Sequence, residues 1–346
     1  MEKMQSVWKT TSGEGLEIKE APVPKIKDNE VLIKVKATSI CGTDIHIYKW
    51  DAWAQQRIGK NIPYIFGHEV SGEIVEMGKD VKGLSIGDHV SAETHISCGY
   101  CQQCKTGQEH ICQNVKILGV DTNGTFAEYL ALPYRNAWVN DKKIPHWVAT
   151  AQEPLGNAVH TVFDGEVAGK TVTVFGMGPI GVCAVKLCKL AGADKVIAVD
   201  HHEGRLRFGK DFGADITIQS GDGKDVRKQI LDATDGFGAD VFLEMAGAPA
   251  AMQDGLATLK AGGRASILGV FPKPFEVDVT NDIVFKGIRL GGINGRKMFD
   301  TWYKAKSFLP KMGLEKLVTH RMKLSEIEKG FDVLLRREGM KVVLEP

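Results

Sequence analysis

Thr171-Val-Thr-Val-Phe-Gly-Met-Gly-Pro-Ile-Gly181 is the stretch of the sequence that decides the fold. Its first five residues predict a short buried strand, and a Gly-x-Gly-x-x-Gly turn then leads into an apolar segment that predicts a helix. Glycine permits such a tight turn and lets the backbone approach a pyrophosphate closely, while the helix N-terminus attracts the phosphate charge. The stretch therefore predicts a dinucleotide-binding unit.

Asp200 indicates which dinucleotide is bound. It ends the next predicted strand, about 20 residues beyond the glycine turn, where this fingerprint places an acid. Its carboxylate can accept hydrogen bonds from ribose hydroxyls and would repel a 2′-phosphate, so NAD is the predicted cofactor. Arg205 supports the alternative cofactor, NADP, because a nearby arginine could accept the 2′-phosphate. Arg205 could also stack on the adenine. The predicted cofactor-binding residues are Gly176, Gly178, Pro179, Ile180, Gly181, Asp200 and Arg205.

The order of strands and helices predicts two domains. From about residue 169, short apolar runs alternate with helix-compatible segments, which favours a doubly wound parallel sheet covered on both faces. Six such runs match the number of strands in a complete dinucleotide-binding sheet: Thr171–Phe175, Val196–Val199, Ile216–Ile218, Val241–Leu243, Ala265–Leu268 and Ile288–Leu290. Before about residue 150, many short strands punctuated by glycine and proline predict a mostly β domain, a barrel or a sandwich.

Composition and charge exclude several classes of protein. The 44 basic and 43 acidic residues give a net charge of +1, and no basic block would attract nucleic acid or an anionic membrane. The N-terminus lacks the apolar core of a secretory signal, and glycine and proline interrupt the most apolar stretch, 171–190. Seven cysteines, odd in number and unevenly placed, do not suggest a disulfide framework. We expect a cytoplasmic protein.

Four of the cysteines predict a structural metal site. Two-residue gaps let a tight turn bring successive sulfurs to one ion, and four thiolates complete a closed tetrahedral zinc shell. A closed shell has no position for a substrate, so this zinc stabilises the fold. The glutamines around the cysteines carry no charge, which argues against a zinc ribbon that binds nucleic acid. The predicted ligands are Cys98, Cys101, Cys104 and Cys112.

A second metal would need ligands from three other segments of the chain. These segments are Cys41-Gly-Thr-Asp-Ile-His46, Gly67-His-Glu69 and Glu153-Pro-Leu-Gly-Asn157. Singly, a lone cysteine is usually part of a core, a lone histidine is usually a satisfied buried group, and a glutamate is usually solvated. The hypothesis of a catalytic metal rests on their combination with a nucleotide site and a cysteine-rich lobe.

These motifs together resemble a known family. Over essentially its full length the chain is similar to the zinc-containing medium-chain alcohol dehydrogenases. The shared motifs are the CGTD segment, the GHE segment, the four-cysteine lobe, the glycine turn and Gly295-Arg-Lys-Met-Phe-Asp-Thr-Trp-Tyr303. Two further stretches, His46-Ile-Tyr-Lys-Trp-Asp51 and Gly156-Asn-Ala-Val-His-Thr161, resemble the threonine-oxidising members.

The resemblance implies the medium-chain dehydrogenase architecture. A GroES-like catalytic domain over 1–155 would be completed by 296–346, and a Rossmann domain over 156–295 would bind NAD. Relatives are commonly homotetramers, so the resemblance also implies a homo-oligomer. It implies two zinc ions per chain, one catalytic and one structural.

For the active site, the resemblance implies a catalytic zinc held by Cys41, His68 and a carboxylate. Catalytic zinc normally has three protein ligands and one exchangeable position, so Glu69 and Glu153 are alternative ligands whose order stays open. Bound zinc lowers the pKa of the substrate alcohol.

In relatives the alcohol proton is passed on by residues that match Thr43 and His46. Thr43 is expected to accept it, and His46 to pass it to solvent by way of the cofactor ribose.

The substrate implied by the resemblance is L-threonine, oxidised at its secondary alcohol to 2-amino-3-oxobutanoate. Its ammonium group would pair with Glu153, and its carboxylate would accept hydrogen bonds from His95 or Arg296. Arg296 could equally contact the cofactor or another subunit.

Two alternatives remain. A polyol or 2,3-butanediol dehydrogenase would share the zinc ligands and the glycine turn, so these features do not discriminate. A catalytically inactive NAD-binding relative would have lost at least one of the functional residues, yet all are present: Cys41, Thr43, His68 and Glu153.

Overall fold

The computed structural model describes residues 2–59 and 61–346. Contacts within the chain define two compact units, Met1–Glu153 with Leu314–Pro346, and Pro154–Gly313. Within the described ranges, no helix has both the length and the apolar character needed to cross a membrane.

The strands of the first unit precede and follow those of the second along the chain. The strands are β1 (Lys3–Lys9), β2 (Glu17–Pro22), β3 (Glu30–Ser39), β4 (Tyr64–Ile65), β5 (Glu69–Met77), β6 (His89–Ala92), β7 (His95–Ile96), β8 (Lys116–Ile117), β9 (Tyr129–Pro133), β10 (Ala137–Val139), β11 (Thr171–Phe175), β12 (Lys195–Asp200), β13 (Ile216–Gln219), β14 (Ala239–Glu244), β15 (Leu259–Ile267), β16 (Arg289–Gly292), β17 (Val318–Lys323) and β18 (Lys341–Glu345).

Most of the longer helices belong to the second unit. The α-helices are α1 (Gly42–Lys49), α2 (Ala52–Ile58), α3 (Gln102–Lys105), α4 (His146–Ala149), α5 (Gln152–Val162), α6 (Pro179–Leu190), α7 (Glu203–Asp211), α8 (Val226–Asp232), α9 (Pro249–Ala257), α10 (Asp300–Met312) and α11 (Ile327–Leu335). Single 3₁₀ turns cover Glu109–Ile111, Tyr134–Asn136, Leu314–Leu317 and Leu324–Glu326, and a π-helical turn covers Val279–Val284.

The second unit is built on one parallel sheet with the strand order β13-β12-β11-β14-β15-β16. All neighbouring strands in it are parallel. Because the chain order reverses between β11 and β14, this sheet has the topology of a dinucleotide-binding fold, with its crevice at that point. Its core packs around Phe175, Val199 and Phe242. The prediction of a doubly wound parallel sheet is confirmed.

The first unit is mostly β, as predicted. Its largest sheet has the order β10-β6-β5-β3-β18-β17, with β9 also pairing with β3. The C-terminal strand β18 pairs antiparallel with β3, so the end of the chain completes a sheet begun near its start. A small sheet of β7 and β8 flanks the four-cysteine lobe. The core beside α1 includes Ile47, Phe66 and Phe331.

The second boundary between the units differs from the predicted one at 295/296. Residues 296–313 group with the second unit, and the chain returns to the first unit only at Leu314. The cause is side-chain packing. Phe308 on α10 stacks on Phe163, with 5.4 Å between ring centroids. The stem of Arg296 lies against Gly156, where a Cβ would come within 2.5 Å of Arg296 Cδ.

Candidate active site

Cys41, His68 and Glu69 lie together in the first unit. Each offers one ligand atom, and these atoms are all within 4.8 Å of one another. Cys41 is the N-cap of α1. His68 follows Gly67, whose φ is +91° and whose Cβ would meet the Phe126 ring at 2.7 Å. Only glycine therefore allows this turn, which brings His68 and Glu69 to Cys41.

Asp44 orients two of these residues. Its Oδ2 accepts a hydrogen bond from the Cys41 backbone N–H at 2.8 Å. Its Oδ1 lies 3.6 Å from His68 Nδ1, and neither atom has a hydrogen-bond partner within the described part of the chain. Burial lowers the pKa of His68, but Asp44 and Cys41 raise it well above its ordinary value. The surroundings of His68 thus favour a positive charge, whether a proton or a metal ion supplies it.

Glu69 forms a buried ion pair that the sequence did not predict. Lys341 Nζ donates to both carboxylate oxygens, at 2.8 Å and 2.7 Å, and the Ser39 hydroxyl also donates to Oε2. Lys341 Nζ also donates to the Ile40 carbonyl, at 3.3 Å. The pairing of β18 and β5 with β3 brings these residues together, although Lys341 and Glu69 are 272 positions apart. No local sequence pattern could have linked them.

The charges of this cluster fit a divalent cation. Metal binding requires Cys41 to be a thiolate. The cluster then carries three negative charges, on Cys41, Asp44 and Glu69. His68 is neutral when it binds a metal, so Lys341 is then the one positive charge paired with them among the contacts described, and two negative charges remain. Uncompensated buried charge is strongly destabilising, and a Zn²⁺ ion would cancel it. Sulfur, imidazole nitrogen and carboxylate oxygen are also the donors that zinc uses in catalytic sites.

Glu153, the fourth predicted ligand, lies outside the group of atoms within 4.8 Å of one another. It is buried on α5. Burial lowers the pKa of Lys341, but Glu69, Cys41 and, least of the three, Glu153 raise it above its ordinary value. Glu153 is therefore within electrostatic range of the Lys341–Glu69 pair, and both carboxylates stay predicted as alternative ligands of the metal.

Thr43 and His46 are three positions apart on α1, a spacing that places both on one face of the helix. Thr43 is partly buried, whereas the His46 side chain is 53% exposed. The Asp51 carboxylate pairs with His46 Nδ1, and the Trp53 ring lies 5.9 Å from the imidazole. An exposed imidazole paired with a carboxylate is able to exchange protons with water, as the predicted role of His46 requires.

The four cysteines of the lobe have the geometry of a zinc site. Neighbouring sulfurs are separated by 3.5 Å, 3.5 Å, 3.7 Å and 4.0 Å. Four thiolates at about 2.3 Å from a tetrahedral zinc ion would be about 3.8 Å apart, so the sulfurs fit that ion. Asn114 supports two of them, because its backbone N–H donates to Cys112 Sγ at 3.3 Å and its side-chain amide to Cys98 Sγ at 3.7 Å.

Hydrogen bonds prepare Cys98 for metal binding. Burial raises the pKa of this thiol, but the backbone N–H groups of Tyr100 and Cys101 and the Asn114 amide outweigh that effect and lower it to about 6. Because the thiolate is the form that binds metals, Cys98 is ready to bind zinc at neutral pH.

The nucleotide turn is organised by Asp200. Its Oδ2 accepts a hydrogen bond from the Met177 backbone N–H at 2.7 Å, and its Oδ1 accepts one from His202 at 2.8 Å. A carboxylate offers about four acceptor positions, so others remain for ribose hydroxyls. Gly178 is the N-cap of α6, and a Cβ on Gly181 would be 1.8 Å from the Gly176 carbonyl oxygen. The close strand–helix packing therefore depends on glycine. Arg205 lies partly buried on α7.

The two predicted substrate-binding residues lie in different units. His95, in β7, is buried, and the carboxylate of Glu93 lies 2.6 Å from its Nδ1. Glu93 was not predicted as a functional residue. Arg296 is buried in the second unit, where its guanidinium donates to Asn157 Oδ1 at 3.2 Å.

Comparison with protein families gives matches to both units. Residues 27–142 match the alcohol dehydrogenase GroES-like domain, and residues 179–311 match the zinc-binding dehydrogenase domain. These matched segments contain the cysteine lobe and most of the predicted dinucleotide-binding sheet.

Curated relatives match almost the whole chain. An L-threonine 3-dehydrogenase of Caldanaerobacter subterraneus subsp. tengcongensis is 48% identical and covers 99% of each chain. The L-threonine 3-dehydrogenase of Pyrococcus furiosus is also 48% identical, over 99% of this chain and 98% of its own.

Solved structures share the fold at lower identity. An alcohol dehydrogenase from Thermotoga maritima is 28% identical, with a TM-score of 0.90 and full coverage of both chains. The 2R,3R-butanediol dehydrogenase from Bacillus subtilis is 28% identical, with a TM-score of 0.89 and 99% coverage of both chains. The chain therefore belongs to the zinc-binding, medium-chain alcohol dehydrogenase family, as its motifs predicted.

Proposed function

We propose that this protein oxidises the secondary alcohol of L-threonine to 2-amino-3-oxobutanoate with NAD as the acceptor. The hydrogen on the threonine C3 leaves as a hydride to NAD⁺, and the hydroxyl proton leaves to solvent. The observation that carries the proposal is the donor set of a partly buried Cys41 with the buried His68 and Glu69, in a chain whose curated relatives are L-threonine 3-dehydrogenases.

The residues of the chain have distinct roles in this reaction. When bound, zinc acts as a Lewis acid towards the alcohol oxygen, and NAD accepts the hydride. Cys41 and His68 would hold the zinc together with Glu69 or Glu153. Asp44 keeps Cys41 and His68 in place through the contacts described above. The second unit would hold NAD on the glycine turn, with Asp200 at the adenosine ribose.

Protons would leave the site along α1. Thr43 would accept the proton of the substrate hydroxyl, and His46 would release it to water. Asp51 supports this role, because its carboxylate holds His46 Nδ1 and leaves Nε2 for proton exchange.

Substrate recognition requires partners for both charged groups of threonine. A carboxylate is the natural partner of the ammonium group, and we assign that role to Glu153. His95 or Arg296 would donate to the substrate carboxylate. Glu93 orients the His95 ring, because its carboxylate lies 2.6 Å from Nδ1.

The fold does not distinguish threonine from a diol, since a butanediol dehydrogenase shares it. The stretches that resemble threonine-oxidising enzymes are more informative, and one of them, 156–161, contacts the shared segment 295–303. His160 Nδ1 lies 2.9 Å from the Gly295 carbonyl, and Arg296 donates to Asn157. The identity of 48% to a curated L-threonine 3-dehydrogenase, against 28% to the 2,3-butanediol dehydrogenase, supports threonine over the diol.

The test is NADH formation by the purified protein with L-threonine, 2,3-butanediol and sorbitol, with NADP in parallel. Sites built to hydrogen-bond polar groups reject analogues that lack them, so we expect kcat/KM for threonine to exceed the others by about 10²-fold or more. NAD should be preferred over NADP because of Asp200. Faster turnover of sorbitol or butanediol would overturn the proposed substrate and leave the fold unaffected.

Apart from other copies of the chain, the proposed partners are small molecules. The net charge of +1 provides no field that would hold nucleic acid. We place the protein in the cytoplasm, because the four cysteines of the lobe must stay reduced to bind zinc.

A homo-oligomer, a tetramer by family resemblance, is also proposed. Strand β16 is the last in its sheet, and strand edges of this kind readily pair with another chain. Several large apolar side chains on and beside it are exposed, and apolar patches mark protein interfaces. These residues are Val279, Val284, Phe285 and Leu290.

Phe285→Glu is therefore expected to reduce the mass of the particle measured by sedimentation, because it puts a charge into an apolar contact. Phe237→Glu is the matched control. Both phenylalanines lie in the second unit and are similarly exposed, at 76% and 77%, but Phe237 is outside the β16 region. Identical masses for the Phe285 variant and the wild type would show that this surface is not the interface.

A further inference from the structure

Glu244 is a fully buried carboxylate that none of the roles above uses. It ends β14, beside Phe175 at the end of β11. The glycine turn of the nucleotide site begins directly after Phe175. Glu244 therefore lies at the carboxyl edge of the sheet, where the strand order reverses and dinucleotides bind.

Its carboxylate joins two turns of the backbone. Oε1 accepts hydrogen bonds from the N–H groups of Ala246 and Gly247, at 2.9 Å and 2.8 Å. Oε2 accepts one from Gly269 at 3.2 Å. The turn 245–247 follows β14 and the turn 268–270 follows β15, so a single side chain fixes the ends of two adjacent strands.

The two turns are too close together to admit another side chain. A Cβ on Gly269 would lie 2.2 Å from Glu244 Oε2 and 2.3 Å from the Gly247 nitrogen. Gly247 has a φ of +63°, and its Cβ would be 2.5 Å from the Val270 carbonyl oxygen. Although the Glu244 side chain that joins them is buried, both turns reach the surface: Ala246 is exposed, and the Val270 side chain is 73% exposed. The two closely packed turns thus form a wall at the border of the crevice, and the apolar Val270 side chain is exposed on it.

The position of the turns indicates which part of a dinucleotide they meet. Folds of this type consist of two mononucleotide-binding halves on either side of the switch point. The half with β11, β12 and β13 carries the glycine turn and Asp200, so it takes the adenosine side. The half with β14, β15 and β16 is left for the nicotinamide side, and Glu244 organises its edge.

We propose that Glu244 is a positioning residue for the nicotinamide half of NAD, an inference that rests on the proposed use of NAD. Its carboxylate holds the turns 245–247 and 268–270 together as the wall against which the nicotinamide nucleotide lies. The carboxylate contributes through these backbone contacts and takes no part in the hydride transfer.

Glu244→Gln tests the proposal with little change in shape. The amide oxygen can still accept from Ala246 and Gly247, but the amide nitrogen then meets the Gly269 N–H, donor against donor. The turn 268–270 loses its side-chain contact and keeps the backbone hydrogen bonds of Leu268 and Gly269 to the Glu244 carbonyl, whereas the glycine turn and Asp200 are untouched. We expect the dissociation constant of NADH to rise about tenfold or more, and that of ADP-ribose, which lacks nicotinamide, to stay within about twofold.

Asp240→Asn is the matched control, because Asp240 makes the same kind of contact at the other end of β14. Its carboxylate accepts from the Thr171 N–H at 2.9 Å and pairs with Lys260. Both affinities should remain at the wild-type values in this control.

Equal losses of NADH and ADP-ribose in Glu244→Gln, or no loss of either, would overturn the proposal. If that variant does not fold, the same two affinities are measured in Gly269→Ala, which crowds the same junction from the other turn. A wild-type protein that binds ADP-ribose but not NADH would instead contradict the proposed function.

Discussion

Cys41→Ser is expected to lower kcat/KM for L-threonine by about 10³-fold or more and to remove one of two zinc ions per chain. Zinc in such sites takes thiolate, imidazole or carboxylate ligands, and a serine hydroxyl remains protonated at neutral pH. Loss of the metal removes a Lewis acid that contributes several kcal/mol to transition-state stabilisation, at about 1.36 kcal/mol per tenfold in rate. The four-cysteine lobe should keep its own zinc.

Steady-state NADH formation and elemental analysis of zinc per chain measure both effects. Cys188→Ser is the matched control: Cys188 is buried near the end of α6 and belongs to the second unit, whereas the predicted metal ligands belong to the first. It should retain both zinc ions and the wild-type kcat. Two zinc ions and full activity in Cys41→Ser would contradict the catalytic metal site at this cysteine.

Lys341→Met is expected to lower the free energy of unfolding by about 3–5 kcal/mol, the typical cost of leaving one partner of a buried ion pair uncompensated. Both members of the Lys341–Glu69 pair are essentially inaccessible to solvent. The loss should be larger in zinc-free protein, because a bound dication would partly compensate the charge of Glu69. Denaturant unfolding, with and without a chelator, measures it.

Lys3→Met is the matched control for that experiment. Lys3 Nζ lies 2.7 Å from Glu20, but both side chains are about two-thirds exposed, at 67% and 68%. Exposed pairs contribute about 0–1 kcal/mol, so this substitution should have little effect. If the two methionine variants were equally stable, Lys341 would not compensate a buried charge at the metal site.

The features that were predictable from the sequence are those coded by neighbouring residues. The glycine turn and Asp200 lie within one βαβ unit, and the four cysteines lie within one short lobe. Their spacing restricts the local backbone strongly enough to indicate the chemistry. The six apolar runs likewise predicted the strands of the parallel sheet, because its inner strands are buried on both faces and are therefore continuously apolar.

The features that were not predictable depend on contacts between distant segments. Lys341 meets Glu69 only through the pairing of β18 and β5 with β3. Glu244 has no motif around it, since its partners are backbone N–H groups of two turns. The boundary predicted at 295/296 lies earlier in the chain than the one that contacts within the chain define. The aromatic stacking of Phe308 on Phe163 contributes to this difference, and the local sequence around neither residue indicates it.

The central claim is that the hydrogen on C3 of L-threonine passes to NAD at a zinc site whose ligands include Cys41 and His68. The most direct test is to supply L-threonine deuterated at C3 and to weigh the reduced cofactor by mass spectrometry. The wild-type protein is predicted to yield NADH carrying one deuterium, and Cys41→Ser to yield almost none. Reduced cofactor without deuterium, or no reduction by zinc-loaded wild-type protein, would contradict the claim.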